Sequence, residues 1–205
     1  MIHAERVSWE TLSLPNLPIW RCKLPSDILA KLWKSIDAAT ESANNVLAGN
    51  ITSSLHIEDT DQFFTKFLSD KLELVRTEYL QAYTFEENVK FYLRDFWVNY
   101  QKKHEFNPGH NHNGVVSFVI WLKIPTDWRT QHDLPEVKHS NGPCASDFEF
   151  VYSDILGRHH DLKIKLDKSS EGVMLVFPSE LRHSVYPFYQ NDGTRISVSG
   201  NFHVM

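Results

Sequence analysis

Apolar residues in the N-terminal part of the chain recur at helical spacing in two segments. The first, residues 26–42, begins with Ser26 and Asp27, both typical N-cap residues, and its apolar positions follow a 3.6-residue period. The second, residues 59–83, carries the longest such pattern in the chain. Residues 7–22 mix β-branched and aromatic side chains with two prolines, which predicts an irregular edge strand ahead of the two helices.

After residue 88 the period changes from helical to strand-like. Seven short runs rich in β-branched and aromatic residues follow, at residues 88–101, 114–125, 147–154, 162–167, 171–178, 181–188 and 194–204. No helical pattern separates them, so they predict an antiparallel sandwich or barrel, for which a jelly roll (a double-stranded β-helix) fits best. Residues 126–146 have no apolar period and are interpreted as a long loop near the barrel mouth.

These patterns predict a mainly β protein with N-terminal helices, of the α+β class. Its 205 residues fit one domain, 1–205, with helical support over about 24–85 and a jelly-roll core over about 88–205. A chain of this length can bury a full hydrophobic core without disulfide or metal staples.

The composition and charge of the chain argue against several classes of protein. The net charge of -5, with acidic and basic residues interleaved, provides no general footprint for nucleic acid or for an anionic membrane. Cys22 and Cys144 lie far apart, which argues against a disulfide framework and against a cysteine zinc site. No apolar stretch approaches a membrane span, and no signal-peptide pattern opens the chain. We therefore expect a cytoplasmic protein.

Three histidines stand at the ends of predicted strands and form the main candidate site. His110 and His112 lie two residues apart in PGHNHNG, ahead of an apolar strand, so strand alternation would point both imidazoles the same way. His183 follows GVMLVFP in a similar setting. Three neutral imidazoles suit iron, zinc or copper. The alternative is a chance surface pair, since the chain has eleven histidines, with His183 as a half-buried structural residue.

An arginine lies close to these histidines in the sequence. Arg195 and Ser197 repeat the i, i+2 arrangement in TRISVSGNF, so they share one strand face while the apolar residues take the other. Arg195 follows His183 by twelve residues, an interval that one hairpin would fold back against it. A guanidinium binds carboxylate bidentately, which indicates an acid cosubstrate. The alternative is a solvent-facing arginine on an edge strand.

Two long stretches resemble the iron(II)- and 2-oxoglutarate-dependent dioxygenases, and among them the small oxygenases of marine bacteria and phages. FWVNYQKKHEFNPGHNHNGVVSFVIWLKIP resembles their Trp-x-Asn strand, HxH turn and aromatic strand. GVMLVFPSELRHSVYPF with RISVSGNF resembles their Phe-Pro-Ser turn, distal histidine and Arg-x-Ser strand. The resemblance covers roughly residues 70–203, and the independent jelly-roll prediction agrees with it.

The resemblance implies a ligand set and a reaction. His110, His112 and His183 would bind Fe(II), Arg195 with Ser197 would hold the distal carboxylate of 2-oxoglutarate, and Asn99 would assist from the neighbouring strand. With O2, the enzyme would hydroxylate a substrate and release succinate and CO2. Most of the superfamily has a carboxylate where His112 stands. Three nearby acids are alternatives to His112 as the third ligand: Glu105, Glu180 and Asp192.

Two other functions compete with this interpretation. A cupin-type metalloenzyme that does not use 2-oxoglutarate would share the jelly roll and HxH, but no glutamate occurs in residues 113–118 and Glu180 replaces an expected glycine. A non-catalytic jelly-roll binding module would leave the histidines incidental. The substrate is either a small molecule or a peptide, with prolyl hydroxylation favoured. The sequence does not determine the oligomeric state, and a homodimer is one of the alternatives.

Overall fold

The computed structural model describes residues 19–69, 72 and 90–204. Within them the chain is mainly β, with two antiparallel sheets and few helices, as the sequence predicts. The strands, in chain order, are β1 Trp20–Lys23, β2 Ser54–His56, β3 Phe91–Gln101, β4 Asn107–His110, β5 Val116–Lys123, β6 Phe148–Ser153, β7 His159–Ile164, β8 Val173–Pro178, β9 Arg182–Val185 and β10 Arg195–Val204.

A six-stranded sheet has the order β1-β8-β5-β10-β3-β2, and a four-stranded sheet has the order β4-β9-β6-β7. The helices are α1 at Ser26–Asp37, α2 at residues 63–69 and the short α3 at Trp128–His132, with 3-10 turns at Asn44–Val46, Thr60–Gln62 and Lys168–Ser170. The described part of the chain contains no helix long and apolar enough to cross a membrane.

Side-chain alternation divides the larger sheet into two faces. On β10, Ile196, Val198 and Phe202 join a core that includes Ile28 and Leu32 of α1. On β5, Val119 and Trp121 belong instead to a second core, shared with Phe148 and Phe150 of the smaller sheet. Because residues two apart share a face, one face of the larger sheet packs on α1 and α2, and the other faces the smaller sheet. The candidate site lies in this second layer.

Each of the seven predicted runs overlaps a strand, although β7 begins at His159, three residues before the predicted run 162–167. α1 begins at Ser26, as predicted, but its N-cap residue is Pro25 rather than Ser26 or Asp27. That helix ends at Asp37 rather than near residue 42. The reason is a competing pairing: Ser42 bridges to Leu55, and the backbone N–H of His56 donates to the carbonyl of Glu41 at 2.8 Å. The chain after α1 is therefore used as an extended partner for β2.

Five further elements differ from the prediction or fall partly outside the described residues. The interpretation of residues 126–146 as an irregular loop is wrong at α3, which the carboxylate of Asp127 caps by accepting from the Arg129 backbone N–H. β2 and β4 are too short and too polar to carry a two-residue period. For the second predicted helix, 63–69 is helical; 70–71 and 73–83 lie outside the described residues, as do 7–18 of the predicted edge strand.

Candidate metal centre

Three histidine rings meet between the two sheets. The centroid of the His110 ring lies 4.9 Å from that of His112 and 4.3 Å from that of His183, and the His112 and His183 rings are 4.9 Å apart. Their ligand nitrogens all lie within 4.8 Å of one another. Such an arrangement can place three imidazoles around one metal ion. The expected convergence of the three histidines is thus present.

The route to this convergence differs from the predicted one. His110 ends β4, while His112 lies in the turn before β5, so the two rings do not share one strand face. His110 is instead the register partner of His183 across β4 and β9. The turn is held by the His112 backbone N–H, which donates to the Ser179 carbonyl at 2.9 Å. Cross-strand pairing and a pinned turn therefore bring the rings together.

Two of the histidines have their tautomers set by the backbone. Nδ1 of His110 lies 2.7 Å from the Pro108 carbonyl, and Nδ1 of His183 lies 2.8 Å from the Leu181 carbonyl. A carbonyl oxygen only accepts, so each Nδ1 carries the proton and donates it. This leaves the lone pair of each Nε2 available to a metal, in the arrangement common among metal-binding histidines.

Among the described residues no carboxylate joins the three histidines. Glu105 accepts from the Thr52 backbone N–H at 3.0 Å and from the Lys102 backbone N–H at 2.8 Å, so it closes a turn. Asp192 accepts from Nζ of Lys103, and Glu180 is exposed. The three alternative acids are therefore placed elsewhere, and the cluster consists of neutral donors.

Burial keeps these imidazoles neutral. Burial, and next the proximity of His110, lowers the pKa of His112 from 6.5 to about 4, with the Asp95 carboxylate acting in the opposite direction. Burial, followed by the proximity of His110 and His112, lowers the pKa of His183 to about 3. A deprotonated ring is the form that coordinates a metal.

We expect the metal-free protein to lose stability as the pH falls. The unfolded histidines bind protons near pH 6.5, whereas folded His112 and His183 bind them only near about 4 and about 3. In that window the unfolded state holds more protons, so the free energy of unfolding decreases as the pH decreases. Urea unfolding of metal-free protein between about pH 7 and pH 4.5 measures this slope. The slope of the unfolding free energy against pH should be shallower in His183→Asn and unchanged in His139→Asn, where the histidine is exposed. Equal slopes in the wild type and both variants would contradict the prediction.

Arg195 lies in the same layer as the three histidines, between the two sheets, and it is completely buried. Its side chain is 1% exposed, and burial lowers its pKa to about 10, with the Asp147 carboxylate acting in the opposite direction. Nη1 donates to Oε1 of Gln101 at 3.2 Å, and Nη2 donates to the carbonyl of Ser146 at 2.9 Å and to its hydroxyl. Nε is buried and has no hydrogen-bond partner among the described residues. The solvent-facing alternative is therefore excluded.

The cation of Arg195 has no carboxylate as a hydrogen-bond partner in the described part of the chain. Asp147, next to Ser146 in sequence, accepts instead from His132, whose Nε2 lies 3.1 Å from Oδ2. A buried guanidinium normally pairs with an anion, because its desolvation is otherwise costly. The site is therefore electrostatically suited to a ligand that brings its own carboxylate.

Arg195 and the histidines face one small cavity. Asn99 and Ser197 line it too, and they are register partners on β3 and β10. Asn99 is 6% exposed and accepts from the Ser54 hydroxyl at 2.8 Å. The open space is about 30 Å³, the volume of about one water molecule.

The proximity of Arg195 to His183 is real, but its predicted cause is wrong. A hairpin would pair their strands, whereas β9 pairs with β4 and β6, and β10 pairs with β3 and β5. The two residues belong to different sheets and approach across the layer between them. The twelve-residue interval crosses from one sheet to the other.

Two contributors to this layer were missed at the sequence level, Gln101 and Ser146. Gln101 accepts a hydrogen bond from Arg195. It shares the β3 face of Asn99 and of Trp97, whose ring centroid lies 5.6 Å from that of His112, so the two-residue period was an available signal. Ser146 had none, because it reaches Arg195 from the loop in an unusual backbone conformation with φ 74°.

Comparisons with known proteins agree on one group. The family model described as "Putative 2OG-Fe(II) oxygenase" matches residues 95–201. A Pseudomonas putida prolyl-4-hydroxylase structure is similar, with a TM-score of 0.50, 18% identity and coverage of 91% of this chain and 93% of that one. No curated protein sequence matches.

Two further solved structures are similar at low sequence identity. A Trichoplax adhaerens prolyl hydroxylase, in complex with a hypoxia inducible factor peptide fragment, gives a TM-score of 0.52 at 13% identity, covering 90% of this chain and 83% of that one. A 2OG-Fe(II) oxygenase family oxidoreductase from Burkholderia pseudomallei gives 0.50 at 14% identity, covering 89% and 84%. At these identities the likeness concerns the fold.

Proposed function

Because this chain belongs to the 2OG-Fe(II) oxygenase family, we propose that it is an Fe(II)- and 2-oxoglutarate-dependent dioxygenase that hydroxylates its substrate. Members of the family use Fe(II), 2-oxoglutarate and O2. The reaction converts 2-oxoglutarate, O2 and a substrate C–H bond into succinate, CO2 and a C–OH group. One oxygen atom of O2 enters succinate and the other enters the hydroxyl.

One observation carries this proposal. Three histidines whose ligand nitrogens lie within 4.8 Å of one another line the same cavity as a buried arginine. That arginine has an unpaired Nε and no carboxylate partner among the described residues. The donor set fits a divalent iron ion, and the unpaired cation fits an acid cosubstrate.

Each residue then has a separate task. His110 and His183 hold Fe(II) through Nε2, and His112 holds it through its imidazole ring. Arg195 binds the distal carboxylate of 2-oxoglutarate, assisted by the hydroxyl of Ser197 and by Asn99 on the adjacent strand. When bound, the iron supplies O2 activation, which the side chains of this chain cannot provide. The aromatic walls, Trp97 and Trp121 among them, exclude water from the reacting groups.

The finer architecture belongs to the same proposal. We take residues 1–205 as one domain whose two sheets form a double-stranded β-helix, or jelly roll, buttressed by the N-terminal helices. The packing of Ile28, Leu32 and Ile36 of α1 in one core with β3, β5 and β10 supports the buttress. For the substrate we favour a peptidyl residue, and proline first, given the prolyl hydroxylases among the similar structures.

Anaerobic addition of Fe(II) and 2-oxoglutarate to the metal-free protein tests this function. We expect a visible absorption band that needs both additions, and succinate once O2 is admitted. Protein without Fe(II), and protein given succinate instead of 2-oxoglutarate, serve as controls. The absence of both the band and succinate would exclude the dioxygenase function.

A further inference from the structure

A second cavity opens directly onto the histidines. It shares Trp97, Asn99 and Asn107 with the first cavity, as well as His110 and His112. We call it the asparagine cleft, after Asn44, Asn99, Asn107 and Asn111 in its wall. Its open volume is about 100 Å³, equal to roughly three water molecules at about 30 Å³ each. One small side chain fits, and it would lie against the metal centre.

The side chains that line the asparagine cleft favour an uncharged ligand. Apart from the two histidines, no side chain among its described lining residues ionises. Asparagine carboxamides both donate and accept hydrogen bonds, as a main-chain amide does. A charged group would be desolvated here without a partner, at a large cost in free energy. The cleft therefore suits an uncharged group that is rich in amides.

One wall atom lacks a partner. Oδ1 of Asn107 is buried and accepts no hydrogen bond among the described residues. Gly49 packs so closely on this carboxamide that any side chain at position 49 would displace it. An unpaired buried acceptor is costly unless a ligand supplies the donor. An N–H group of the substrate would satisfy it.

The roof of the asparagine cleft offers main-chain groups. Residues 47–49 connect the 3-10 turn Asn44–Val46 to Asn50, which bridges to Phe106. Leu47 is extended, with φ -103° and ψ 143°. The N–H and C=O groups of 47–49 make no hydrogen bond within the described part of the chain. Unpaired main-chain groups next to an extended residue such as Leu47 can pair with an added peptide strand.

Two exposed apolar side chains lie near residues 47–49. Val46 is 73% exposed and lines the cleft, and Phe106 is 38% exposed beside Asn50. We propose that the substrate is an uncharged peptide segment that lies extended along residues 47–49 and inserts one small side chain into the asparagine cleft. Its flanking residues contact Val46 and Phe106, and its backbone N–H donates to Asn107.

This inference rests on the proposed dioxygenase function and names its substrate class. The probe is a pool of acetylated, amidated heptapeptides with Pro, Leu, Asn, Lys or Glu at the centre and uncharged residues at random elsewhere. Wild-type protein with Fe(II), 2-oxoglutarate and O2 should add one oxygen atom to peptides with an uncharged centre, detected by mass spectrometry. Binding of the same pool to metal-free protein is measured separately by saturation-transfer NMR.

Two variants and a matched control locate the contact. Val46→Asp and Asn107→Leu should each raise the KM for peptide about tenfold, the effect of one lost contact or hydrogen bond of ordinary strength. Val46→Asp should leave the KM for 2-oxoglutarate unchanged, because Val46 lines the asparagine cleft and not the first cavity. Ile155→Asp is the control, because Ile155 is 69% exposed on the β6–β7 hairpin. It should behave as wild type.

The outcomes separate the two proposals. Succinate formation without peptide oxidation, preference for a Lys or Glu centre, or oxidation of a free amino acid or a single-stranded oligonucleotide in place of peptides would overturn the peptide inference and leave the dioxygenase function intact. Equal peptide KM values in Val46→Asp and Ile155→Asp would also overturn it. Peptide binding by NMR that Val46→Asp weakens, in a protein that never consumes 2-oxoglutarate, would support the peptide surface while the dioxygenase function fails.

Discussion

Replacing Arg195 with alanine is expected to weaken 2-oxoglutarate binding about a hundredfold and to leave metal affinity unchanged. The guanidinium is 1% exposed, and its Nε has no protein partner among the described residues. Truncating one member of a buried, hydrogen-bonded charge pair costs about 3 kcal/mol, and each 1.4 kcal/mol is tenfold. The three histidines do not contact Arg195 through any hydrogen bond, so the metal affinity should persist.

The measurement is a pair of titrations, 2-oxoglutarate into metal-loaded protein and Mn(II) into metal-free protein. Arg195→Lys is a second variant, since it keeps the charge but loses the planar fork, and we expect an intermediate affinity. Arg158→Ala on the exposed β6–β7 hairpin controls for loss of positive charge. Circular dichroism checks that each variant folds. Unchanged 2-oxoglutarate affinity in folded Arg195→Ala would favour a cupin-type enzyme without this cosubstrate.

Strand alternation predicted the larger sheet's contribution to this site correctly. A two-residue period places Arg195 and Ser197 on one face of β10, and Asn99 meets them on β3 by register. The period is a local property of extended backbone, so it can be read from a short stretch of sequence. The seven strand runs were predictable for the same reason.

Contacts between segments that are distant in the sequence were not predictable in this way. His110 meets His183 because β4 pairs with β9, and β4 is a four-residue strand, Asn107–His110, with no period of its own. Ser146 reaches Arg195 because a left-handed backbone conformation turns the loop inward. Both depend on pairings between distant segments, which local hydrophobic patterning does not encode. The expected convergence was thus correct while both of its predicted geometric causes were wrong.

Replacing His183 with alanine is expected to abolish metal binding at the candidate centre. His183 is 3% exposed, and its Nδ1–H is committed to the Leu181 carbonyl at 2.8 Å, which aims Nε2 at the other two histidines. Loss of an outer-shell partner already costs about 10–100-fold in metal affinity, so loss of a direct ligand should exceed a hundredfold. Calorimetric titration with Mn(II) or Co(II) measures the affinity.

A second substitution separates the loss of a metal ligand from the loss of packing volume. His183 packs parallel to Phe148, with ring centroids 5.5 Å apart, so alanine leaves a cavity, whereas His183→Gln retains most of the volume. Both should lose the metal, while the exposed His139→Ala should keep it. Metal affinity that survives in folded His183→Gln would contradict the three-histidine site.

The same titration on His112→Ala tests whether His112 is a metal ligand. Most of the superfamily has a carboxylate at its position. Its ring stands 4.9 Å from both other rings, and no acid joins the cluster in the described part of the chain. If all three histidines coordinate, His112→Ala should lose as much affinity as His183→Ala. His112→Asp should then recover binding, because it recreates two histidines and one carboxylate around the ion. Affinity retained in His112→Ala would show that two histidines and another group hold the metal.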